Sequence, residues 1–173
     1  MKDLYQIVMA GTGGQGLVSM AMFLAEAAID AGLNTAQTQS YGVAQRGGFT
    51  SAEVLVSKNE ILFQQVRVPD VVLVLHGVVG NRYDELTCPV VYDSTLVTKD
   101  LPNWKGIPCT EIATAMNSPR SANLVALGAM LALEPVFSLD TLNAVIARNF
   151  ANKPAVANAS ADLVRKGFEL AGK

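Results

Sequence analysis

The chain has 173 residues, 50% of them hydrophobic and 16% charged, with a formal net charge of −2 at pH 7. This length predicts one domain over residues 1–173 with a sizeable buried core. Because its basic residues are scattered and the net charge is negative, the chain has no general attraction for phosphate backbones, and we exclude nucleic acid as a partner.

The predicted elements alternate strands with helices. In chain order, the predicted strands cover residues 4–10, 33–39, 50–57, 71–75 and 90–92, with a further extended segment near Ile107. The predicted helices cover residues 15–31, 110–117, 120–133, 139–149 and 154–171. This order predicts an α/β fold: a Rossmann-like three-layer sandwich, with a mostly parallel sheet and helices on both faces. Ligands of such folds bind beyond the carboxyl ends of the strands.

A glycine loop joins the first strand to the first helix. Residues 11–16 read Gly-Thr-Gly-Gly-Gln-Gly, which satisfies the G-x-G-x-x-G pattern in a strand–turn–helix context. Free backbone N–H groups and the positive end of the helix dipole favour an anion there. The alternative is that these glycines only let the strand and the helix pack closely.

A nicotinamide or flavin cofactor is less consistent with the residues that follow. Dinucleotide folds usually carry an Asp or Glu roughly 20 residues after the glycines, where it holds the ribose hydroxyls. Residues 34–40 contain no carboxylate, and Glu53 is the first to follow. The loop therefore suits a phosphate that does not belong to NAD.

A second glycine loop covers residues 40–48. It reads Ser-Tyr-Gly-Val-Ala-Gln-Arg-Gly-Gly and places the fixed charge of Arg46 before Gly47 and Gly48. A guanidinium beside a glycine backbone suits a phosphate or a carboxylate. Taken alone, this motif is more typical of a surface turn.

The two loops together resemble the gamma subunit of 2-oxoacid:ferredoxin oxidoreductases, the enzymes that act on pyruvate, 2-oxoglutarate, branched-chain oxoacids such as ketoisovalerate, or indolepyruvate. The resemblance rests on G-x-G-G-Q-G followed some thirty residues later by Tyr-Gly-x-x-x-Arg-Gly-Gly, and it extends over almost the whole chain. It implies a complete enzyme that decarboxylates a 2-oxoacid on thiamine diphosphate. Electrons then pass through iron–sulfur clusters to ferredoxin, and the acyl group passes to coenzyme A.

The resemblance also implies a division of labour. Thiamine diphosphate, Mg and the iron–sulfur clusters are expected on alpha and beta subunits, with a ferredoxin-like delta subunit in some complexes. The gamma-type chain is expected to contribute to the coenzyme A site and to have no activity alone. By resemblance, the coenzyme-binding residues are Gly11, Thr12, Gly13, Gly14, Gln15, Gly16, Ser40, Tyr41, Arg46, Gly47, Gly48, Asn123 and Asn158.

Cysteine usage agrees with this division. The chain has two cysteines, Cys88 and Cys109, and one histidine, His76. An iron–sulfur cluster usually takes four cysteine ligands, and a structural zinc site four Cys or His ligands, so this chain cannot build either alone. It has no signal-peptide pattern and no apolar stretch of the roughly 18 residues typical of a membrane span. We expect a cytoplasmic protein that does not bind membranes.

Three residues leave alternatives open. His76, at the end of the central strand, and Cys109, near a helix start, are more typical of structural roles than of catalysis. Asn123, in an apolar helix, either bonds internally or reaches a ligand, because a buried amide needs partners. Two rival functions also remain: a stand-alone Rossmann-type nucleotide-binding protein, and a purely structural subunit.

Overall fold

The computed structural model describes residues 2–41 and 48–172. Its strands are β1 (Leu4–Thr12), β2 (Asn34–Tyr41), β3 (Phe49–Ser57), β4 (Val71–Val74), β5 (Val90–Asp93) and β6 (Trp104–Ile107). Its α-helices are α1 (Leu17–Asp30), α2 (Cys109–Ala115), α3 (Ala122–Leu133), α4 (Leu139–Asn149) and α5 (Pro154–Ala171). Short 3₁₀ turns lie at Gly77–Val79 and Pro119–Ser121. In these described residues, no helix is both long and apolar enough to cross a membrane.

The six strands form one sheet in the order β2-β3-β1-β4-β5-β6. Strands β1, β4, β5 and β6 pair in parallel, whereas β3 is antiparallel to both β1 and β2. The predicted α/β class and mostly parallel sheet are confirmed. The reversal of β3 follows from its short connection to β2, because parallel neighbours need a longer crossover.

The two faces of the sheet are covered differently. Ile7, Met9 and Leu73 face a core formed with all five α-helices described above. Val8 and Val72 face a smaller core, which the 3₁₀ turn at Gly77–Val79 and the strand connections cover. The second layer thus differs from the α-helices that were expected on both faces. The connection after β4 contains two glycines and a proline, which disfavour an α-helix there.

Helix α3 is the centre of the helical layer. It is apolar nearly all round, and most of its residues are buried, as its sequence predicts. It packs closely on α5, because a Cβ atom on Gly128 would overlap the Val164 carbonyl and one on Gly167 would overlap the Val125 carbonyl. These contacts show that α3 and α5 run in opposite directions.

Candidate functional site

The glycine loop follows β1 at the carboxyl edge of the sheet. Gly14 has a φ of 92° and Gly16 a φ of 74°. Residues with a Cβ rarely adopt such angles, so the turn requires glycine at both positions. The Gly16 carbonyl then accepts from the Met20 N–H at 3.0 Å, which begins α1.

The side chain of Gln15 holds the loop against the neighbouring strand. Its Oε1 accepts from the Thr12 N–H at 2.9 Å, and its Nε2 donates to the Leu75 carbonyl at 2.8 Å. A Cβ on Gly11 would overlap this amide. Both polar groups of Gln15, a predicted ligand residue, are therefore hydrogen-bonded to the backbone. They fix the loop to the end of β4.

Gly13 and Gly14 face open space. A Cβ added to either residue would meet no atom within 4 Å outside its chain neighbours. Close packing of strand and helix therefore explains Gly11 and Gly16, whose Cβ atoms would touch Gln15 and Asn123, and the positive φ explains Gly14. Gly13 has neither reason to be glycine, and its backbone is open to the approach of another molecule.

A cavity of about 230 Å³ lies beside this open turn. It is bordered by the loop, by the ends of β4 and β5, and by the starts of α2 and α3. The lining residues are Gly14, Gln15, Leu75, Asp93, Thr110, Pro119, Arg120, Ala122 and Asn123. The cavity thus lies at the carboxyl edge of the sheet, where ligands of open α/β folds bind.

Asn123 connects α3 to the glycine loop. It is 9% exposed, its Nδ2 donates to the Gly16 carbonyl at 3.5 Å, and its Oδ1 accepts from the Leu124 N–H at 3.0 Å. Of the two alternatives, internal bonding is present, and the residue also borders the cavity. Its first contribution is to hold the start of α3 against the loop.

Asp93 is a buried carboxylate in the cavity wall. It accepts from the Thr110 N–H and from the Thr110 hydroxyl, the latter at 2.5 Å, and from the Thr95 N–H at 3.1 Å. These bonds tie β5 to the start of α2 and occupy the carboxylate oxygens. Asp93 is therefore placed to stabilise the fold rather than to act as a base.

Two residues that the sequence assigned to structural roles have matching geometry. The His76 Nδ1 accepts from the Val78 N–H at 3.1 Å and so caps a 3₁₀ turn. Burial, with a contribution from the negative charge of Asp93, raises the pKa of the Cys109 thiol far above its ordinary value. Neither arrangement is that of an activated catalytic group.

Arg120 borders the same cavity from the 3₁₀ turn before α3, and its side chain is exposed. In the sequence, Arg120 stands only as one of several scattered basic residues. Its relation to the glycine loop was missed because about a hundred residues separate them in the chain. The sequence offered one signal of this relation: Arg120 lies three residues before Asn123, an amide predicted in an apolar helix.

The second glycine loop begins and ends near the first. Ser40 pairs with Ser51, and Tyr41 pairs with Thr50, which in turn pairs with Gly11. Neighbouring strands lie about 4.8 Å apart, so the end of β2 lies roughly 10 Å from β1. Gly48 precedes β3 at this edge, whereas Arg46 and Gly47 lie outside the described residues.

Asn158 is not brought to this site. It is exposed near the start of α5, and α5 runs antiparallel to α3. Asn158 therefore lies toward the C-terminal end of α3, on the order of 15 Å along the helix from Asn123.

Comparison with known proteins identifies the family of this chain. The model of the pyruvate ferredoxin/flavodoxin oxidoreductase family matches residues 6–170. The chain belongs to this family. The resemblance inferred from the two glycine loops is confirmed.

Relatives of this oxidoreductase family member include both a separate subunit and part of a longer chain. This chain is 42% identical over 137 residues to the 2-oxoglutarate synthase subunit KorC of Archaeoglobus fulgidus. The match covers 75% of this chain and 72% of that protein. The gamma subunit of a keto/oxoacid ferredoxin oxidoreductase from Geobacter sulfurreducens has a TM-score of 0.82 and 30% identity, covering 96% of this chain and 98% of that one.

A longer relative carries this fold as one part. The 2-oxoglutarate:ferredoxin oxidoreductase from Magnetococcus marinus, solved with 2-oxoglutarate, coenzyme A and succinyl-CoA bound, matches with a TM-score of 0.86 and 29% identity. The match covers 99% of this chain but 31% of that one, so this family member spans about a third of the Magnetococcus chain.

The described part of this family member offers no metal centre. Residues 2–41 and 48–172 contain no group of three or more His, Cys, Asp or Glu side chains placed to hold a metal ion. Cys88 and Cys109 are both free thiols.

Proposed function

We propose that this chain is the gamma-type subunit of a cytoplasmic, thiamine diphosphate-dependent 2-oxoacid:ferredoxin oxidoreductase and that it forms part of the coenzyme A site. The observation that carries the proposal is the open turn at Gly13 and Gly14: Gly14 borders the cavity, and no packing within the described chain accounts for Gly13. Membership of the oxidoreductase family and the coenzyme A in the Magnetococcus relative support it.

The chain's residues fit one section of the coenzyme. Backbone N–H groups at the start of α1, with the positive end of its dipole, suit a phosphate, and Asn123 holds α3 against the loop. The cavity of about 230 Å³ is smaller than the roughly 300–1,000 Å³ of pockets that enclose whole ligands. We therefore assign the remaining contacts to partner subunits.

Chemistry at the reacting carbon belongs to the partners in this proposal. Alpha and beta subunits, with a ferredoxin-like delta subunit in some complexes, carry thiamine diphosphate, Mg and the iron–sulfur clusters. Coenzyme A, when bound, supplies the thiol that accepts the acyl group. This chain binds and orients part of the coenzyme. The second loop, including Arg46, stays a predicted contact.

The rival function, a stand-alone nucleotide-binding protein, lacks its expected ribose ligand. Strand β2 ends in Gln39, Ser40 and Tyr41, without a carboxylate. The nearby Glu53 carboxylate already accepts from the Thr38 hydroxyl at 3.3 Å and from the Val66 N–H at 3.1 Å. Titrating NAD, FAD and coenzyme A against the protein separates the two functions, since we expect a response to coenzyme A alone.

The decisive variant is Gly13→Val in the assembled complex. Because space around Gly13 is open within the chain, we expect an unchanged melting temperature and normal assembly. The added side chain blocks approach to the backbone, so coenzyme A affinity should fall at least about tenfold, the loss of one charge-assisted hydrogen bond. Calorimetric titration without oxoacid measures this affinity directly.

Ala155→Val is the matched control, because it places the same side chain at an exposed position of α5. It should leave coenzyme A affinity unchanged. A folded, assembled Gly13→Val complex with wild-type affinity would refute the phosphate-binding role of the loop. Loss of assembly without a coenzyme effect would instead favour the purely structural subunit.

A further inference from the structure

Arg120 differs from the other arginines that the structure describes. Arg148 pairs with Glu26 and Asp30, and Arg165 pairs with Asp162. The guanidinium groups of the remaining two stack on aromatic rings, Arg67 on Phe63 and Arg82 on Phe49. Among residues 2–41 and 48–172, Arg120 is the one arginine with neither an ion pair nor a ring partner, and it borders the cavity beside the glycine loop.

The surroundings of Arg120 favour an anion. The first turns of α1 and α3 contain no acidic residue, and neither N-cap residue makes a side-chain bond, although the Asn123 Oδ1 accepts from the Leu124 N–H in the first turn of α3. The positive end of each helix dipole is therefore not offset by a carboxylate in its own first turn. The one carboxylate in the cavity wall, Asp93, is bonded to Thr110 and Thr95, so its oxygens are engaged away from an incoming ligand.

The backbone around Arg120 is well fixed. Pro119 is the first residue of the 3₁₀ turn, and its ring fixes the φ angle there. Asn123 then holds the first turn of α3 against the Gly16 carbonyl. The backbone at Arg120 therefore needs little ordering on binding, and the planar guanidinium matches the oxygens of a phosphate. These features are typical of a phosphate-recognition residue rather than of a solvated surface charge.

We infer that Arg120 binds a phosphate group of the coenzyme, across the cavity from Gly14 of the open turn. This inference rests on the proposed function, since it names the residue that holds one part of the same ligand. Coenzyme A carries both a diphosphate and a 3′-phosphate, and either one has the required charge and oxygens.

The test measures binding rather than turnover. Coenzyme A, dephospho-coenzyme A and pantetheine are titrated calorimetrically against the assembled complex without oxoacid. Arg120→Gln should raise the Kd for coenzyme A about tenfold or more, because it removes a charged hydrogen-bond donor. It should leave the weak binding of pantetheine, which has no phosphate, unchanged. Arg120→Lys, which keeps the charge, should recover much of the affinity. Arg165→Gln, on the exposed side of α5, should have no effect.

The pattern across ligands identifies the phosphate. An equal loss for coenzyme A and dephospho-coenzyme A assigns Arg120 to the diphosphate, and a loss confined to coenzyme A assigns it to the 3′-phosphate. If Arg120→Gln binds as tightly as wild type while Gly13→Val binds weakly, the role of Arg120 is refuted and the proposed function stands. A wild-type complex that does not bind coenzyme A would overturn both.

Discussion

Cys109 shows two opposing influences on a single residue. It occupies the first turn of α2, where a helix dipole and backbone bonding lower a thiol pKa. Its side chain is fully buried and lies near the Asp93 carboxylate, and these influences prevail, so the pKa of the thiol is raised. The folded protein therefore keeps Cys109 protonated at pH values where an exposed thiol would ionise.

This residue makes the free energy of unfolding depend on pH. An unfolded chain ionises Cys109 near its ordinary pKa of 9.0, whereas the folded chain retains the proton. The contribution of Cys109 to the free energy of unfolding is thus fully present below pH 9, and it decreases as pH rises above that value. Urea unfolding between pH 7 and pH 10 should show this decline, and it should be shallower in Cys109→Ala.

Thiol labelling provides an independent check on the same residue. In a Cys88→Ala background, a disulfide reagent at pH 8 should leave native Cys109 unmodified and react with it only after unfolding. Rapid labelling of the native protein would contradict the raised pKa. Cys88 itself is unsuitable as a reporter, because burial also raises its pKa.

At the scale of elements, the contact between α3 and α5 requires two glycines. Gly128 faces the Val164 carbonyl, and Gly167 faces the Val125 carbonyl, so each helix occupies the space where a Cβ of the other would lie. Backbone atoms cannot move aside as a flexible side chain can. The packing of the helical layer therefore depends on residues that are usually unfavourable within helices.

The variant Gly128→Ala tests this contact, and the sign of its effect is informative. Helix propensity alone would stabilise the protein by up to about 1 kcal/mol. Overpacking against Val164 should instead lower the free energy of unfolding by roughly 1–3 kcal/mol. Lys166→Ala, at an exposed position of α5, serves as a control and should stay within about 0.5 kcal/mol of wild type in urea unfolding.

Most elements could be predicted from the sequence, because their patterns are local. The apolar stripe of α1 and the cap of α4, where the Ser138 Oγ accepts from the Thr141 N–H at 3.1 Å, are visible over a few residues. The position of the glycine loop was equally local. The antiparallel direction of β3 could not be predicted in this way, because it depends on which strands become its neighbours in the sheet.

Long-range relations also limited prediction of the site. Gln15 was expected at a ligand, but its amide bonds to Leu75, sixty residues away. Arg120 meets the glycine loop only through the packing of α3. Asn158 matched the family pattern loosely, and it lies near the start of α5, away from the end of that helix that packs near Asn123. Periodicity and spacing contain no information about such pairings.

At the scale of the whole molecule, the proposed division of labour predicts an inactive, colourless chain. Two cysteines in 173 residues fall short of the four that a cluster usually takes, and in the proposed function the cavity of about 230 Å³ holds only part of the coenzyme. The purified chain should show no visible iron–sulfur absorption and no 2-oxoacid oxidation with artificial acceptors. Adding the alpha and beta subunits should restore both. A brown, active preparation of this chain alone would contradict the subunit assignment.

Helix α3 joins the cavity wall to the centre of the protein. Asn123 begins a helix that is buried along most of its length and pressed against α5 at Gly128. This wall cannot rotate or fray independently, because moving it would open the core. A ligand that binds there meets a preorganised surface, so the protein loses little conformational entropy on binding. The amide hydrogens of α3 should accordingly exchange with solvent only when the whole protein unfolds.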